Sequence, residues 1–171
     1  EGRTKSVRDD AFPHPDQALN SNTYPKGAWV LHMLRQEIGD QSFFRALRAY
    51  VDRFRGRSVV TRDFIDAVEE SSGRELDWFF EQWLDRKGCP ELRVSTSGRR
   101  IIVEQVQRDR PYRFELRIAW IDDAGTRTTR TMLVADRKAT FDTESEVVSV
   151  ELDPDVELLF RPAKEPDEEP K

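Results

Sequence analysis

Lys87-Gly88-Cys89-Pro90 divides the sequence into two parts of different hydrophobic periodicity. Gly88 suits the left-handed residue that ends a helix, and Pro90, two residues later, prevents the helix from continuing. Apolar residues recur at helical spacing over 24–88 and alternate at strand spacing over 91–160. The sequence therefore predicts an α+β fold, in which an N-terminal array of about four helices precedes a small antiparallel β-sandwich of about seven strands.

The predicted domains are a helical segment over 1–88, a β-sandwich over 91–161 and an acidic tail over 162–171. The tail is rich in Pro and Glu and has no apolar anchor, so we expect it to be disordered. The first 23 residues are expected to be mostly loop, because Phe12-Pro13-His14-Pro15 is incompatible with a regular helix. The abrupt start at Glu1-Gly2-Arg3 is what a cut inside a larger protein would leave.

Four segments of the first part are predicted to be helices. The first, over about 26–38, is apolar on nearly every side and is therefore expected to contact neighbours all round. The second runs from Asp40, its expected N-cap, to Phe54, and the third is expected to be capped by Thr61. The fourth, over about 75–86, places its large apolar side chains on one stripe.

The second part of the sequence alternates with a period of two. In Tyr112–Trp120 the odd-numbered charged residues oppose the even-numbered apolar ones, which predicts a strand with one buried face. Asp122-Asp123-Ala124-Gly125 supplies a turn, and Thr126–Val134 is expected to return as the hairpin partner. Further strands are predicted at Leu92–Ser95, Arg100–Gln107, Ala139–Phe141, Val147–Leu152 and Val156–Phe160.

Composition excludes several classes of function. The chain has 171 residues, of which 37% are hydrophobic and 36% charged, enough to bury a core beneath a heavily charged surface. Its net charge of −5 argues against a nucleic-acid partner, which needs a local surplus of Lys and Arg. No apolar run in this chain approaches the length of a membrane span. The single cysteine, Cys89, excludes a disulfide within the chain.

Tyr24-Pro25-Lys26-Gly27-Ala28 runs directly into the apolar first helix and carries most of the functional information. Three spaced elements follow it in order: a helix pair with Gly39 between its members, the helix start Thr61-x-x-Phe64, and the aromatic motif Leu76-Asp77-Trp78-Phe79-Phe80-Glu81-Gln82-Trp83-Leu84. Over residues 24 to about 94 the chain resembles the C-terminal portion of M1-family zinc aminopeptidases (gluzincins). The later strands resemble the small β-sandwich of that family by pattern only.

The resemblance implies that Tyr24 is catalytic in the parent enzyme, where its hydroxyl would stabilise the oxyanion formed as zinc-activated water attacks a carbonyl. The parent would hold zinc and remove N-terminal residues from peptide substrates. This chain contains no His-Glu-x-x-His, since its only histidines are His14 and His32. We therefore expect no metal- or cofactor-binding residue here and no activity of this fragment alone. Lys26 is expected to solvate the edge of the first helix, and Gly27 to allow close packing at its start.

Each candidate residue also has a structural interpretation. Tyr24 could anchor a loop ahead of a buried helix through its hydroxyl. His14 is interpreted as a solvated loop residue rather than a metal ligand, and His32 as a core residue that makes a hydrogen bond. Cys89 is interpreted as a small buried spacer rather than a nucleophile. The strand that carries Arg127 and Arg130 has the character of a charged sheet edge rather than of a binding site.

Two other functions stay open beside the enzymatic one. The chain could be a non-catalytic scaffold of the same fold, which absence of His-Glu-x-x-His from the upstream sequence would indicate. It could also be an unrelated module that binds protein or sugar, which would require exposed aromatic residues on the sandwich. In each case the apolar first helix predicts an exposed apolar patch or self-association of the chain.

Overall fold

The computed structural model describes residues 5–8, 14 and 23–163. The chain forms two compact units that divide between Gly88 and Cys89. Helices form the described part of the first unit and strands that of the second, so the predicted α+β class is confirmed. The predicted disordered tail lies outside the described residues from position 164 onward.

The first unit contains α1 (Thr23–Phe54), α2 (Thr61–Ser72), α3 (Asp77–Phe80) and a π-helical turn, the π-turn (Glu81–Asp85). α1 covers the first two predicted helices, which meet at a kink where Gly39 has the non-helical angles φ 77° and ψ 157°. The fourth predicted helix divides into α3 and the π-turn. About four helices were expected, and the described residues contain three α-helices and the π-turn. None of these helices is long and apolar enough to cross a membrane.

The core of the helical unit takes side chains from all of its helices. Buried apolar residues include Val30, Leu34, Ile65, Val68, Phe79 and Trp83. The Tyr50 ring contacts the Phe64 ring edge to face at 5.3 Å, and Phe64 contacts Phe80 in the same way at 6.2 Å. Such pairs stabilise a core beyond the area that they bury. They hold the second half of α1 against α2 and α3.

Two predicted helix caps differ in the structure. The N-cap residue of α2 is Val60 rather than Thr61. The Val60 N–H donates to the Asp63 carboxylate at 2.8 Å, which satisfies one backbone donor at the start of the helix. Asp40 lies inside α1, and its carboxylate accepts two hydrogen bonds from the Arg35 guanidinium at 2.7 Å each. Helical geometry breaks at Gly39, so Asp40 stands at the start of the second of two helices, but its carboxylate binds a side chain of the preceding helix.

The described strands of the second unit form one sheet of four and one of three. The strands are β1 (Glu91–Ser97), β2 (Arg100–Gln105), β3 (Phe114–Asp122), β4 (Arg127–Val134), β5 (Lys138–Asp142), β6 (Val147–Leu152) and β7 (Arg161–Pro162). The sheet orders are β5-β2-β1-β7 and β4-β3-β6. Pairing is antiparallel except between β1 and β7. The Trp120 ring on β3 contacts the Phe141 ring on β5 at 5.3 Å, so side chains connect the two sheets.

The alternation predicted for β3 is confirmed over residues 114–118 and ends at Ala119, which is buried as well. Phe114, Leu116 and Ile118 are buried, whereas Glu115 between them is exposed. β3 pairs with β4 as the predicted hairpin. The turn between them is held by the Asp122 carboxylate, which accepts the N–H groups of residues 124 and 126.

The strand predicted at Val156–Phe160 is wrong. Asp153 and Val156 have positive φ angles of 51° and 58°. The buried Asp153 carboxylate accepts the backbone N–H groups of residues 157 and 158 at 2.8 and 3.0 Å. This local bonding takes backbone donors that a strand would offer to a neighbour. Pairing begins later, at β7.

Candidate active site around Tyr24

Tyr24 is the second residue of α1, and 71% of its surface is exposed. Pro25 follows it in the first helical turn. Proline has no backbone N–H, but this costs no hydrogen bond here, because N–H groups of the first turn have no intrahelical acceptor. Residues three, four and seven positions after Tyr24 lie on the same side of the helix. This side, the Tyr24 face, consists of Tyr24, Gly27, Ala28 and Leu31. Ala28 is exposed and Leu31 is 41% exposed, so the face is accessible in this chain.

Lys26 lies on the opposite side of the same helical turn and is only 4% exposed. Its ammonium group donates to the backbone carbonyl of Arg86 at 2.7 Å. The expectation that Lys26 solvates the helix edge is therefore wrong. A lysine has its charged group at the end of a long flexible stem, which here reaches a carbonyl sixty positions away.

The end of the π-turn is a point where separate segments of the helical unit meet. The Leu84 carbonyl accepts the backbone N–H groups of Val7 and Arg8 at 2.9 and 3.0 Å. The Arg8 guanidinium also binds the Asp85 carboxylate through two hydrogen bonds. The Arg86 carbonyl, two residues beyond Leu84, accepts from Lys26. Carbonyls at the end of a helix have no intrahelical donors, so these contacts satisfy groups that would otherwise lack one.

Gly27 does not serve the close packing expected from the sequence. A Cβ atom added at this position would meet no atom within 4 Å. The residue also has ordinary helical geometry, since Gly39 is the only non-helical position inside α1. Gly27 therefore leaves open space on the Tyr24 face.

A charge pair lies beyond the Tyr24 face on the same side of α1. Arg35 lies eleven positions after Tyr24, about three helical turns along the same side. Its guanidinium binds Asp40 and stacks over the Phe44 ring at 5.1 Å from the centroid. The hydrogen bond to Asp40, with the charge of that carboxylate, raises the pKa of Arg35, and the hydrogen bond from Arg35 lowers the pKa of Asp40.

A tyrosine in this position can donate a hydrogen bond to an approaching ligand. The phenolic O–H is a hydrogen-bond donor. The N-terminus of a helix carries a partial positive charge, which favours negative charge nearby. Tyr24 lies in the first turn of α1, so its hydroxyl and the helix N-terminus are both suited to an anionic oxygen beside the Tyr24 face.

The described residues do not fit a zinc site. They contain no group of three His, Cys, Asp or Glu side chains arranged to hold a metal ion. The exposed His14 lies in the segment ahead of α1, and the half-buried His32 packs edge to face against Trp29 at 5.6 Å. Cys89 is half-buried at the boundary between the units.

The charged residues of β4 make structural contacts. The Arg127 guanidinium donates to Glu151 on β6 at 2.9 Å, and the Arg130 guanidinium lies 5.5 Å from the centroid of the Phe141 ring. β4 forms the edge of its sheet, and charge at such an edge discourages pairing with another chain.

Comparison with known proteins relates the chain to a peptidase family. Residues 5–83 match the family model described as the peptidase family M1 domain. The chain is 32% identical over 98 residues to aminopeptidase N of Lactococcus lactis subsp. lactis, and the match covers 55% of this chain and 12% of that protein. It is 27% identical over 144 residues to probable aminopeptidase 2 of Sulfurisphaera tokodaii, and the match covers 84% of this chain and 18% of that protein.

The fold is similar to that of a solved structure. The crystal structure of Legionella pneumophila aminopeptidase A in complex with aspartic acid matches with a TM-score of 0.75 over 94% of this chain and 20% of that one. The sequences are 19% identical, so this likeness shows the fold alone. The chain spans between 12% and 20% of the length of these three proteins.

Proposed function

We propose that the chain, whose residues 5–83 match the model of peptidase family M1, belongs to that family and is the C-terminal portion of a zinc-dependent aminopeptidase in which Tyr24 is catalytic. The parent protein removes N-terminal residues from peptides. The observation that carries the proposal is the exposure of Tyr24 in the first turn of α1, within the segment that matches the family. The zinc ligands would lie outside this chain.

Tyr24 acts in this proposal as an oxyanion donor. As the scissile peptide carbonyl becomes tetrahedral, negative charge develops on its oxygen, and a donor already directed at that position stabilises the charge. The Tyr24 hydroxyl is that donor, and the positive end of α1 adds to the effect. The peptide substrate would approach along the Tyr24 face, where Gly27 leaves open space.

The test is Tyr24→Phe in the full-length protein. We expect kcat to fall about 100- to 1,000-fold, as for other single oxyanion donors, with little change in KM because the ring and its packing are retained. Tyr50→Phe is the matched control, since Tyr50 lies on the same helix with its ring against Phe64, and kcat should be unchanged. An unchanged kcat in Tyr24→Phe would reject the catalytic role of Tyr24, whereas a full-length protein without aminopeptidase activity would favour the non-catalytic scaffold.

The isolated 171-residue chain should hydrolyse no aminoacyl chromogenic substrate, with or without added zinc. The described residues offer no site for that ion, and the proposal assigns its ligands to other parts of the parent protein. Turnover above the blank that increases with protein concentration would contradict this assignment.

We also propose that the isolated chain self-associates through the Tyr24 face. Leu31 and Ala28 are accessible there, and an apolar patch left in water favours association. Light scattering over a range of concentrations should show association that Leu31→Glu abolishes. Val51→Glu is the control, because Val51 is similarly exposed on the second half of α1. A monomer at every concentration would refute this part.

A further inference from the structure

Tyr24 and Lys26 are two residues apart on α1 and differ fully in environment. Successive residues of an α-helix are rotated by about 100°, so a separation of two places side chains on opposite sides. Tyr24 is exposed, whereas Lys26 is buried with its ammonium group on the Arg86 carbonyl. The helical turn that carries Tyr24 on its exposed side is therefore anchored on its buried side by Lys26.

This contact fixes the part of α1 that is least able to hold itself. The first turn of a helix has backbone N–H groups without intrahelical acceptors, and helix ends fray. Lys26 connects that turn to the end of the π-turn through a hydrogen bond from a charged donor, which is stronger than one between neutral groups. The positive charge also suits a helix C-terminus, where the carbonyls carry partial negative charge.

The Arg86 carbonyl is itself held in place. The end of the π-turn also binds the backbone of Val7 and Arg8 through the Leu84 carbonyl, and Asp85 forms a salt bridge with Arg8. A hydrogen-bond acceptor with this support has a defined position, so the donor that reaches it is positioned as well.

We propose that Lys26 is a positioning residue for Tyr24, acting through the backbone carbonyl of Arg86 to fix the first turn of α1 and hence the direction of the phenol. The inference rests on the proposed function, since it holds that Lys26 keeps the Tyr24 hydroxyl in the position that catalysis requires. A displacement of a catalytic group by about 1 Å can lower a rate on the order of 100-fold. Loss of this contact therefore affects turnover even though Lys26 need not touch the substrate.

The experiment is a double-mutant cycle in the full-length protein with Lys26→Met and Tyr24→Phe. Methionine retains a long unbranched side chain and removes the charged donor. We expect Lys26→Met to lower kcat about 10- to 100-fold with a smaller change in KM, because the lost precision affects the transition state most. In the Tyr24→Phe background the same substitution should change kcat less than 3-fold, because the hydroxyl that it positions is already gone.

The outcomes separate the two proposals. If Tyr24→Phe leaves kcat unchanged, the catalytic role of Tyr24 fails, and the role of Lys26 fails with it. If Tyr24→Phe lowers kcat but Lys26→Met lowers it by the same factor in both backgrounds, Tyr24 remains catalytic and the positioning role of Lys26 is overturned. A Lys26→Met effect confined to KM also overturns it.

Two further variants guard against a general loss of structure. Lys87→Met removes an exposed lysine one residue beyond Arg86 and should leave kcat unchanged. Lys26→Arg retains a charged donor and should retain more of kcat than Lys26→Met does. If Lys26→Met does not fold, the cycle is run with Lys26→Arg, where a reduction that disappears in the Tyr24→Phe background supports the proposal and an equal reduction in both backgrounds overturns it.

Discussion

Replacement of Gly27 by alanine should stabilise the helical unit of the isolated chain. Gly27 has helical geometry inside α1, and a Cβ atom at this position meets nothing within 4 Å. Gly39 on the same helix also has open space around an added Cβ, but its φ of 77° and ψ of 157° belong to a region that only glycine occupies readily. The two substitutions therefore differ in backbone conformation and not in side-chain crowding.

The expected magnitudes have opposite signs. Glycine in a helix costs about 0.5–1 kcal/mol relative to alanine, so Gly27→Ala should raise the free energy of unfolding by that amount. For a unit of this size, the gain corresponds to a rise of roughly 2–8 °C in the midpoint of thermal unfolding. Gly39→Ala forces alanine into a strained conformation and should lower the free energy of unfolding by about 1–3 kcal/mol.

The assay is urea unfolding followed by circular dichroism at 222 nm, which reports mainly the helices of the first unit. Gly27→Ala should move the midpoint to higher urea and Gly39→Ala to lower urea, both with an unchanged slope. A loss of stability in Gly27→Ala would refute the reasoning, because it would require either a non-helical backbone or a neighbour in the space beside Gly27. Equal shifts in the two variants would refute it as well.

Three further predictions concern the β unit. Gln105→Leu should lower the free energy of unfolding by about 1–3 kcal/mol, because the buried Gln105 amide bonds both the N–H and the carbonyl of Tyr112, and urea unfolding measures the loss. Asp153→Ala should lower the thermal midpoint more than Asp153→Asn, because asparagine tolerates positive φ and keeps an acceptor for the N–H groups that the carboxylate now binds; equal losses would contradict this. The hydrogen bond from Arg100 lowers the pKa of Asp142, so this pair stabilises the fold above the ordinary aspartate pKa and loses its effect as the pH falls through the lowered value. Titration by NMR should show this pKa return toward the ordinary value in Arg100→Gln, and an unchanged value would contradict the assignment.

Local patterns predicted most of the elements and some of their limits. The apolar residues of β3 alternate over 114–118 and bury one face there, and this period is a property of the strand alone. Gly39 marked the boundary between two predicted helices, but the sequence could not distinguish a loop from a one-residue kink, since glycine permits both. The segment over 156–160 has strand-like apolar residues and no strand, because the Asp153 carboxylate binds its backbone first.

The candidate site was only partly accessible from the sequence. The motif around Tyr24 predicts that residue as the catalytic candidate, and it lies within the segment 5–83 that matches the M1 family model. The interpretation of Lys26 is wrong, although a lysine directly ahead of the largely apolar stretch Ala28–Leu34 is a signal for a buried charge with a partner. The partner itself is a backbone carbonyl, which has no signature in the sequence.

The sequence by itself determined the division into helices and strands and indicated Tyr24 as the catalytic candidate, because each depends on residues that are near one another along the chain. Only the tertiary structure decided which side of α1 is covered, where Lys26 ends and which segments meet at the π-turn. Those features depend on contacts such as the one between Lys26 and Arg86, sixty positions apart. A period in the sequence gives the faces of a helix, but the partner that buries one face is fixed by how the chain folds back on itself.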